Sequence, residues 1–289
     1  MLLLQLFLSG LQTGAIYALT AAGFALIFGA TRIFHVAHGA AFALAGYAFL
    51  ASTEAGLPWP LGILLALALA MGFGLFMDAA IYRPIQRHEG SFFTVFVAAF
   101  GMSIVVQSLI ELGFGRGFVV LSTPLTRARE VLPGLYLADV FWVALGTALL
   151  LFAAVTLFLE RSRAGTGLRA LSENPELLRA FGLSSRRLSM LAFALGSALV
   201  VPGAVLTAIT SGLQPAIAAQ VMLVSLAAAV VGGIGSLRGA ALAGLLLGVV
   251  ENLVIAVLDT QWSAAAGFVV LFAFILFRPS GLFGQAVAR

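Results

Sequence analysis

The sequence predicts an all-α membrane protein: a polytopic bundle of eight to ten transmembrane helices, with broken helices and an internal structural repeat. Of its 289 residues, 62% are hydrophobic and 9% are charged, whereas soluble domains carry roughly 25% charged residues. Apolar runs near the length of about 20 residues that a span requires recur along the whole chain. Because nothing is left over for a separate soluble domain, residues 1–289 are predicted to form one transmembrane domain.

Nine apolar segments are the predicted spans. The second and the seventh are short and bounded by glycine, so the number of true spans is expected between eight and ten. The start of the chain lacks a basic region and a cleavage site, and is therefore read as a retained span. The segments lie near 4–28, 38–52, 60–82, 92–112, 138–159, 188–210, 218–232, 240–258 and 263–277.

The residue types that are missing exclude several chemistries. The chain contains neither lysine nor cysteine, so a phosphate-binding loop with its lysine, a Schiff base and a thiolate ligand are ruled out. The sequence also lacks a Ser/His/Asp set, a carboxylate dyad and an H-E-x-x-H motif. We therefore expect no enzyme activity and no bound cofactor, and because the arginines lie between spans we expect no nucleic-acid binding.

Two closely spaced histidines are a further candidate for chemistry. His35 and His38 are three residues apart and would share one face of a helix. With only His88 as a third histidine and no carboxylate nearby to complete a ligand set, no metal site is predicted. The expected roles are capping of a broken helix and hydrogen bonding across the repeat.

The distribution of arginine predicts the orientation. If segment 160–187 is cytoplasmic, counting spans in both directions places twelve of the fifteen arginines in the cytoplasm. The remaining three, Arg116, Arg127 and Arg129, share one external loop. This bias agrees with the excess of basic residues in cytoplasmic loops. It predicts a cytoplasmic C-terminus and, with nine spans, an external N-terminus.

The polar segment 160–187 interrupts the apolar pattern for long enough to fold. Asn174, Pro175 and Glu176 are typical of a helix start, and Gly182 can end that helix in the left-handed conformation. A serine after it can cap the next span. A helix of two turns is marginal alone, so the segment is either a solvated interfacial loop or a contact element for a cytoplasmic partner. We assign the contact to Asn174, Pro175, Glu176, Leu177, Leu178, Phe181, Gly182, Arg186 and Arg187, with Leu177, Leu178 and Phe181 as its face.

Two stretches resemble each other and indicate the repeat. Residues 29–47 and 232–251 both start at a glycine, pass a polar turn and open a helix with a basic residue followed by Gly-Ala-Ala. Interrupted segments in corresponding positions of two halves point to a translocation path between them. Three G-x-x-x-G pairs, at 10–14, 235–239 and 244–248, place small residues where helices can approach closely.

Glu251 and its neighbour Asn252 lie inside a predicted span. Ionisable residues there usually face the bundle interior or an aqueous path, so Glu251 either lines the path or makes a fixed hydrogen bond to a neighbouring helix. Glycines at a half-helix start could likewise expose backbone groups to a substrate carboxylate, or simply allow close packing. The candidate path residues are His38, Gly39, Gly232, Gly233, Gly235, Glu251 and Asn252, and Asp78 is expected to pair locally with Arg83.

Three motifs together resemble the branched-chain amino acid ABC transporter permeases of the LivH/LivM type. Residues 34–39 are similar to the family's N-F-A-H-G signature, with His35 near the usual Asn. Residues 232–240 resemble its G-G-x-G-S-x-x-G-A, followed by Gly244 and Glu251 at the family's spacing, and residues 278–284 resemble its closing R-P-x-G-L-F-G. The resemblance extends over nearly the whole chain.

The resemblance also implies a mechanism and a set of partner subunits. It implies a permease of the bacterial inner membrane that works by alternating access. Its partners would be a second permease, with a heterodimer favoured over a homodimer, two cytoplasmic ATPases that carry ATP and Mg, and a substrate-binding protein. Segment 174–187 would dock on the ATPases. Branched-chain amino acids are the expected substrates, with urea, short amides or other amino acids as alternatives; a self-contained transporter or channel and an intramembrane enzyme are the other classes considered.

Overall fold

The computed structural model describes residues 1–88, 90–259, 262–278 and 280–283. In this portion of the chain the secondary structure is helical, with a short 3-10 turn (Pro124–Thr126), apart from one β-hairpin and an isolated bridge between Val119 and Leu213. The helices are α1 (Leu2–Thr31), α2 (His38–Glu54), α3 (Trp59–Phe76), which continues through a π-helical turn (Met77–Tyr82) into α4 (Arg83–Arg87), α5 (Phe92–Phe114), α6 (Asp139–Arg161), α7 (Arg163–Glu173), α8 (Pro175–Ala180), α9 (Ser185–Thr210), α10 (Ile217–Gly232), α11 (Leu237–Val254) and α12 (Ser263–Phe277). The hairpin consists of β1 (Ala128–Leu132) and β2 (Leu135–Ala138).

Six of these helices are long and apolar enough to cross a membrane: α1, the continuous helix Trp59–Arg87, α5, α6, α9 and α11. Helices α2, α10 and α12 have 17, 16 and 15 residues. At about 1.5 Å per residue they are shorter than a hydrocarbon core of about 30 Å. Each of the nine predicted segments matches one of these nine helices, although segment 240–258 runs four residues past the end of α11. The prediction of a helical membrane bundle is confirmed.

The bundle has two distinct ends. At one end the side chain of Gln5, in the first turn of α1, donates to the Tyr136 carbonyl at 2.7 Å and accepts from the Tyr136 amide at 3.0 Å. We call this the hairpin end. At the other end α1 finishes beside α4 and the start of α9, where several arginines gather; we call this the arginine end.

Helix α2 begins inside the bundle rather than at its surface. The ring nitrogen Nε2 of His38, the first residue of α2, lies 2.9 Å from the carbonyl oxygen of Thr20. Thr20 precedes the last residue of α1, Thr31, by a rise of about 16 Å. The chain therefore leaves α1 at the arginine end, turns back into the bundle over residues 32–37, and starts α2 near mid-depth.

The same arrangement occurs again with the opposite direction. Helix α9 ends at Thr210 at the hairpin end, the chain turns back over residues 211–216, and α10 begins at Ile217 beside the first turn of α2. Helices α1 and α9 end with the same side-chain hydrogen bond: the hydroxyl of Thr31 donates to the Ile27 carbonyl at 2.7 Å, and that of Thr210 donates to the Leu206 carbonyl at 2.8 Å. Two half-helices thus start near the middle of the bundle and run to opposite ends, as in discontinuous transporter helices.

The internal repeat therefore differs in register from the one expected. The structure pairs α1–α2 with α9–α10, rather than residues 29–47 with residues 232–251. The break between α10 and α11 spans only residues 233–236 and stays at the arginine end, so it is an ordinary turn. The shared Gly-Ala-Ala reflects the small residues that close packing demands in both places.

Small residues allow the close approach of α1 and α11. A Cβ atom on Gly248 would lie 2.2 Å from the Gly14 amide nitrogen, and one on Gly14 would lie 2.7 Å from the Leu245 carbonyl oxygen. The predicted pairs at 10–14 and 244–248 therefore do serve helix packing. The third pair does not, because Gly235 lies in the turn with φ +86°.

Candidate functional site

A cavity of about 210 Å³ lies at the hairpin end between α1, α9 and α10. We call it the hairpin-end cavity. Phe118 and Gly212, from two loops joined by the bridge between Val119 and Leu213, border it. Its lining residues are Gln12, Thr13, Ile16, Tyr17, Thr20, Phe42, Phe118, Thr207, Thr210, Ser211, Gly212, Gln214, Ile217, Gln220, Val221 and Val224.

The lining combines amide and hydroxyl groups with apolar side chains, and no member of that set is charged. Both broken units contribute, since Thr20 and Phe42 come from the first and Thr210 and Ile217 from the second. Such a surface offers hydrogen bonds to a polar head and contact area to an apolar side chain. It has the character of a small-molecule site, in which few polar groups orient a ligand among apolar walls.

Glu251 lies one layer behind the cavity wall. Its side chain is buried, at 8% exposure, and the Tyr17 hydroxyl donates to its Oε2 atom at 2.8 Å. Tyr17 lines the hairpin-end cavity and Glu251 does not. Glu251 instead borders a separate cavity of about 50 Å³, and Gln220 lines both cavities.

Asn252, the next residue along α11, has a parallel role. Its Nδ2 atom donates to the Thr13 hydroxyl at 3.3 Å and to the Gly248 carbonyl at 3.0 Å. Thr13, like Tyr17, is a lining residue of α1. Two adjacent polar residues of α11 therefore hold two polar residues of α1 that face the cavity.

His35 and His38 do not share a helical face, contrary to expectation. Helix α2 begins at His38, so His35 lies in the preceding break. Its Nδ1 atom is 2.6 Å from the Tyr82 hydroxyl, while the Nε2 atom of His38 donates to the Thr20 carbonyl. Neither ring caps α2, whose N-cap residue is Ala37 without a side-chain hydrogen bond; the two rings tie the break to α1 and to the π-helical turn instead.

Gly39 lies where the two half-helices meet. A Cβ atom on Gly39 would lie only 1.9 Å from the carbonyl oxygen of Ala218 in α10. Neither Gly39 nor His38 lines the hairpin-end cavity. Gly39 allows the close crossing of α2 and α10, and Phe42 and Ile217 of these helices line the cavity.

The glycines at 232, 233 and 235 belong to the arginine end. The Gly232 carbonyl accepts a hydrogen bond from the Phe283 amide at 3.0 Å, and Gly281 packs against Gly233. Gly233 follows the carboxyl end of α10, not the start of a half-helix. Of the two alternatives for these glycines, the structure favours close packing, because the closing segment packs against Gly232 and Gly233.

The polar segment forms a compact corner of two short helices, which we call the α7–α8 corner. Asn174 caps α8, with its Oδ1 atom accepting from the Glu176 and Leu177 amides at 3.0 and 2.9 Å. Gly182 ends the turn after α8 with φ +76°, and Ser184 caps α9. The predicted helix start, helix end and following cap are confirmed.

The exposed face of this corner differs in one residue from the predicted face. Leu177 and Phe181 are 54% and 77% exposed, but Leu178 is only 3% exposed. Since α8 lies on the bundle, one of its two adjacent leucines must point inward. Leu178 therefore lies beneath the corner and not on its exposed face, and the exposed Leu183 joins Leu177 and Phe181.

Sequence reasoning missed helix α7 and most of the cavity lining. For α7 the signals were present: Ser162 caps it, and Leu168 and Leu171 are buried three residues apart. For the cavity the signal was the polar series Thr13, Tyr17 and Thr20, which recurs at helical spacing in an otherwise apolar span.

The helical bundle, its two half-helices meeting at mid-depth and the uncharged cavity between them define the class: a multi-pass membrane permease. The chain belongs to the family described as branched-chain amino acid transport system / permease component, whose model matches residues 6–277. This family is one of transport proteins and not of enzymes.

Individual relatives agree with this assignment. The chain is 31% identical to the high-affinity branched-chain amino acid transport system permease protein BraD of Pseudomonas aeruginosa, covering 98% of this chain and 96% of the relative. It is 29% identical to the permease protein LivH of the corresponding system of Escherichia coli K12, with the same coverage. A solved structure, PsaBC from Streptococcus pneumoniae in complex with Fab, has a chain with a similar fold at a TM-score of 0.54 and 11% identity, covering 95% of this chain and 92% of that one.

Proposed function

We propose that the chain is the transmembrane permease subunit of an ATP-driven ABC importer for branched-chain amino acids. The observation that carries this proposal is the hairpin-end cavity, which lies between the two broken-helix units of a chain in this permease family. Rocking of these units about the cavity would open it alternately to either side of the membrane.

The lining of the cavity supports the substrate class. Gln12, Thr13 and Gln220 offer hydrogen-bonding groups, and Ile16 and Val221 offer apolar surface within the same space of about 210 Å³. A small amino acid with a branched apolar side chain matches both features. Urea and short amides would leave the apolar surface unused, and the relatives' names also point to branched-chain amino acids.

The orientation that follows places the arginine end in the cytoplasm. Twelve of the fifteen arginines then lie on the cytoplasmic side, including Arg278 near the C-terminus. The hairpin and the mouth of the cavity face outward. This agrees with the bias of basic residues toward cytoplasmic loops, and it presents the cavity to a substrate-binding protein.

The α7–α8 corner is the proposed docking element for the ATPases. Leu177 and Phe181 stand exposed on it, while Leu178 fixes it to the bundle. The corner passes through the Ser184 cap directly into α9, and α9 carries Thr207 and Thr210 at the cavity. A displacement of the corner would therefore reach the cavity through one continuous helix.

The remaining subunits complete the proposed importer. A second permease, with a different sequence favoured over an identical copy, completes the path; two cytoplasmic ATPases bind ATP and Mg; and a binding protein supplies the substrate. This chain itself holds no cofactor in the proposal. The lysine-free sequence supports placing ATP hydrolysis on separate subunits.

The docking proposal is tested with the double variant Leu177→Ser/Phe181→Ser. We expect it to lose co-purification with the ATPases while its membrane expression stays unchanged, because both side chains are exposed and the fold does not depend on them. The matched control is Val131→Ser/Leu132→Ser, which changes two exposed apolar residues on the hairpin and should keep the ATPases bound. Full ATPase association in the first variant would refute the docking role.

The substrate is tested by competition in proteoliposomes that contain the whole importer. Unlabelled isoleucine and valine should suppress uptake of labelled leucine, and urea and acetamide should not. Suppression by urea or acetamide alone would assign the chain to the other substrate class of the family.

A further inference from the structure

A second cavity, of about 480 Å³, lies at the arginine end and has no role in the proposed path. We call it the arginine-end cavity. It lies between the end of α1, α4, the α7–α8 corner and the start of α9. Its lining residues are Ala30, Thr31, Arg32, Ile33, Asp78, Arg83, Gln86, Arg87, Leu171, Ser172, Pro175, Arg179, Ser185, Arg186 and Ser189.

The charges around this cavity are unbalanced. Five arginines line it, and Asp78 is the one acidic residue among its described lining residues. The Asp78 carboxylate is already engaged by Arg83 and, at 2.7 Å, by the Ser189 hydroxyl. Glu173 and Glu176 belong to the same corner but do not line the cavity.

Several hydrogen-bond donors accompany this excess of positive charge. Arg179 uses only its Nε atom on its own helix, toward the Pro175 carbonyl at 3.2 Å, which leaves its terminal nitrogens available. The Ser185 hydroxyl oxygen is buried and finds no partner among the described residues. Ser185 and Arg186 also begin α9, a helix of 26 residues, whose first-turn amides and positive dipole end favour an anion.

The backbone at Arg32 adds an independent observation. Arg32 has φ 58° and ψ 16°, and it is the one non-glycine residue with positive φ among the residues that the structure describes. A residue with a Cβ rarely adopts this conformation, and glycine would adopt it without strain. Arg32 holds this conformation at the end of α1, where its amide donates to the Phe28 carbonyl, and it lines the cavity.

We propose that the arginine-end cavity binds a phosphate group. Guanidinium groups pair with phosphate oxygens through two parallel hydrogen bonds, and four arginines remain after Arg83 is paired with Asp78. A phosphate oxyanion can accept from several donors at once, including the terminal nitrogens of Arg179. The group comes either from the headgroup of an anionic phospholipid, since basic pockets at helix ends hold such headgroups, or from a soluble phosphate. This phosphate site shares no lining residue with the hairpin-end cavity, but it shares Pro175 and Arg186 with the predicted ATPase contact.

The test compares two double variants of the purified full-length chain. Arg32→Gln/Arg179→Gln removes two cavity arginines, whereas Arg161→Gln/Arg163→Gln removes the same charge from the same end without touching the cavity lining. The readout is the thermal unfolding midpoint in two settings. One setting is nanodiscs of phosphatidylglycerol against phosphatidylcholine; the other is detergent with inorganic phosphate against chloride at matched ionic strength.

We expect a rise in the midpoint with one of the two phosphate sources, retained in the Arg161/Arg163 variant and reduced by at least half in the Arg32/Arg179 variant. A rise with phosphatidylglycerol alone assigns the site to a lipid headgroup, and a rise with inorganic phosphate assigns it to a soluble phosphate. Equal loss in both variants would mean diffuse attraction and overturn the proposal. The absence of any rise in wild type with either phosphate source would overturn it as well.

Discussion

The hydrogen bond between Tyr17 and Glu251 is predicted to hold one wall of the hairpin-end cavity, and a double-mutant cycle measures its strength. The Tyr17 hydroxyl lies 2.8 Å from Oε2 of a carboxyl group that is 8% exposed. Replacing Tyr17 by Phe leaves that oxygen without its donor, and replacing Glu251 by Leu leaves the hydroxyl without its acceptor. Either change should cost about 1–3 kcal/mol in the free energy of unfolding.

The magnitude of the coupling follows from the membrane setting. Hydrogen bonds to charged groups contribute about 1.5–3 kcal/mol in soluble proteins, but measured cycles in a membrane protein average about 0.6 kcal/mol and reach about 1.7 kcal/mol. The lower range applies because an unfolded chain in a membrane also finds partners. We therefore expect the double variant to cost less than the sum of the single variants by about 0.6–1.7 kcal/mol.

Unfolding in mixed micelles, followed by circular dichroism, gives the four free energies that the cycle requires. Asn252→Leu is the matched control, because Asn252 binds Thr13 and not Tyr17. Its effect should add to that of Tyr17→Phe. Additivity of Tyr17→Phe and Glu251→Leu within about 0.3 kcal/mol would refute the coupling.

Three further predictions concern other regions of the bundle. Glu251→Gln should lower uptake with little loss of membrane expression, and uptake at the wild-type level would leave Glu251 a purely structural role. Gly39→Ala should destabilise the protein by about 1–3 kcal/mol or more, because its Cβ atom would lie 1.9 Å from the Ala218 carbonyl oxygen. The control Gly146→Ala, whose Cβ atom would have nothing within 4 Å, should be neutral or stabilising by up to about 1 kcal/mol. Equal effects of the two variants in thermal unfolding would contradict the close crossing of α2 and α10. Arg83→Gln should destabilise the protein more than Asp78→Asn. It leaves an unpaired carboxylate that is 1% exposed, whereas Asp78→Asn leaves an arginine side chain that is 14% exposed. The reverse order in unfolding assays would show that the pair is not held as described.

The helices and the local structure of the α7–α8 corner could be predicted because their causes are local. A run of apolar residues forms a helix in a membrane whatever its neighbours are. The Asn174 cap and the Gly182 turn depend only on residues within one helical turn. The burial of Leu178 does not, because it depends on which side of α8 meets the bundle.

The site itself depends on contacts between distant residues. His38 begins α2 at mid-depth because its ring meets Thr20, and Gly39 crosses Ala218 from far along the chain. No spacing in the sequence predicts how deep in the bundle α2 begins. The three-residue spacing of His35 and His38 even suggested one helix, since the break between them leaves no periodic signal.

Glu251 shows what sequence reasoning about a buried charge can achieve. The prediction of an interior position is confirmed by its burial. The two alternatives, path lining or a fixed hydrogen bond, were not separable, because Tyr17 lies between Glu251 and the cavity. The structure favours a fixed hydrogen bond to a residue that does line the cavity.

The central claim is that this permease moves branched-chain amino acids only when it is driven by ATPases docked at the α7–α8 corner. Uptake of labelled leucine into proteoliposomes tests it most directly, with the chain reconstituted alone and with its partner permease, ATPases and binding protein. We expect uptake only in the complete assembly with ATP and Mg, and its loss in the Leu177→Ser/Phe181→Ser variant. Leucine uptake by the chain alone, without any ATPase, would contradict the claim.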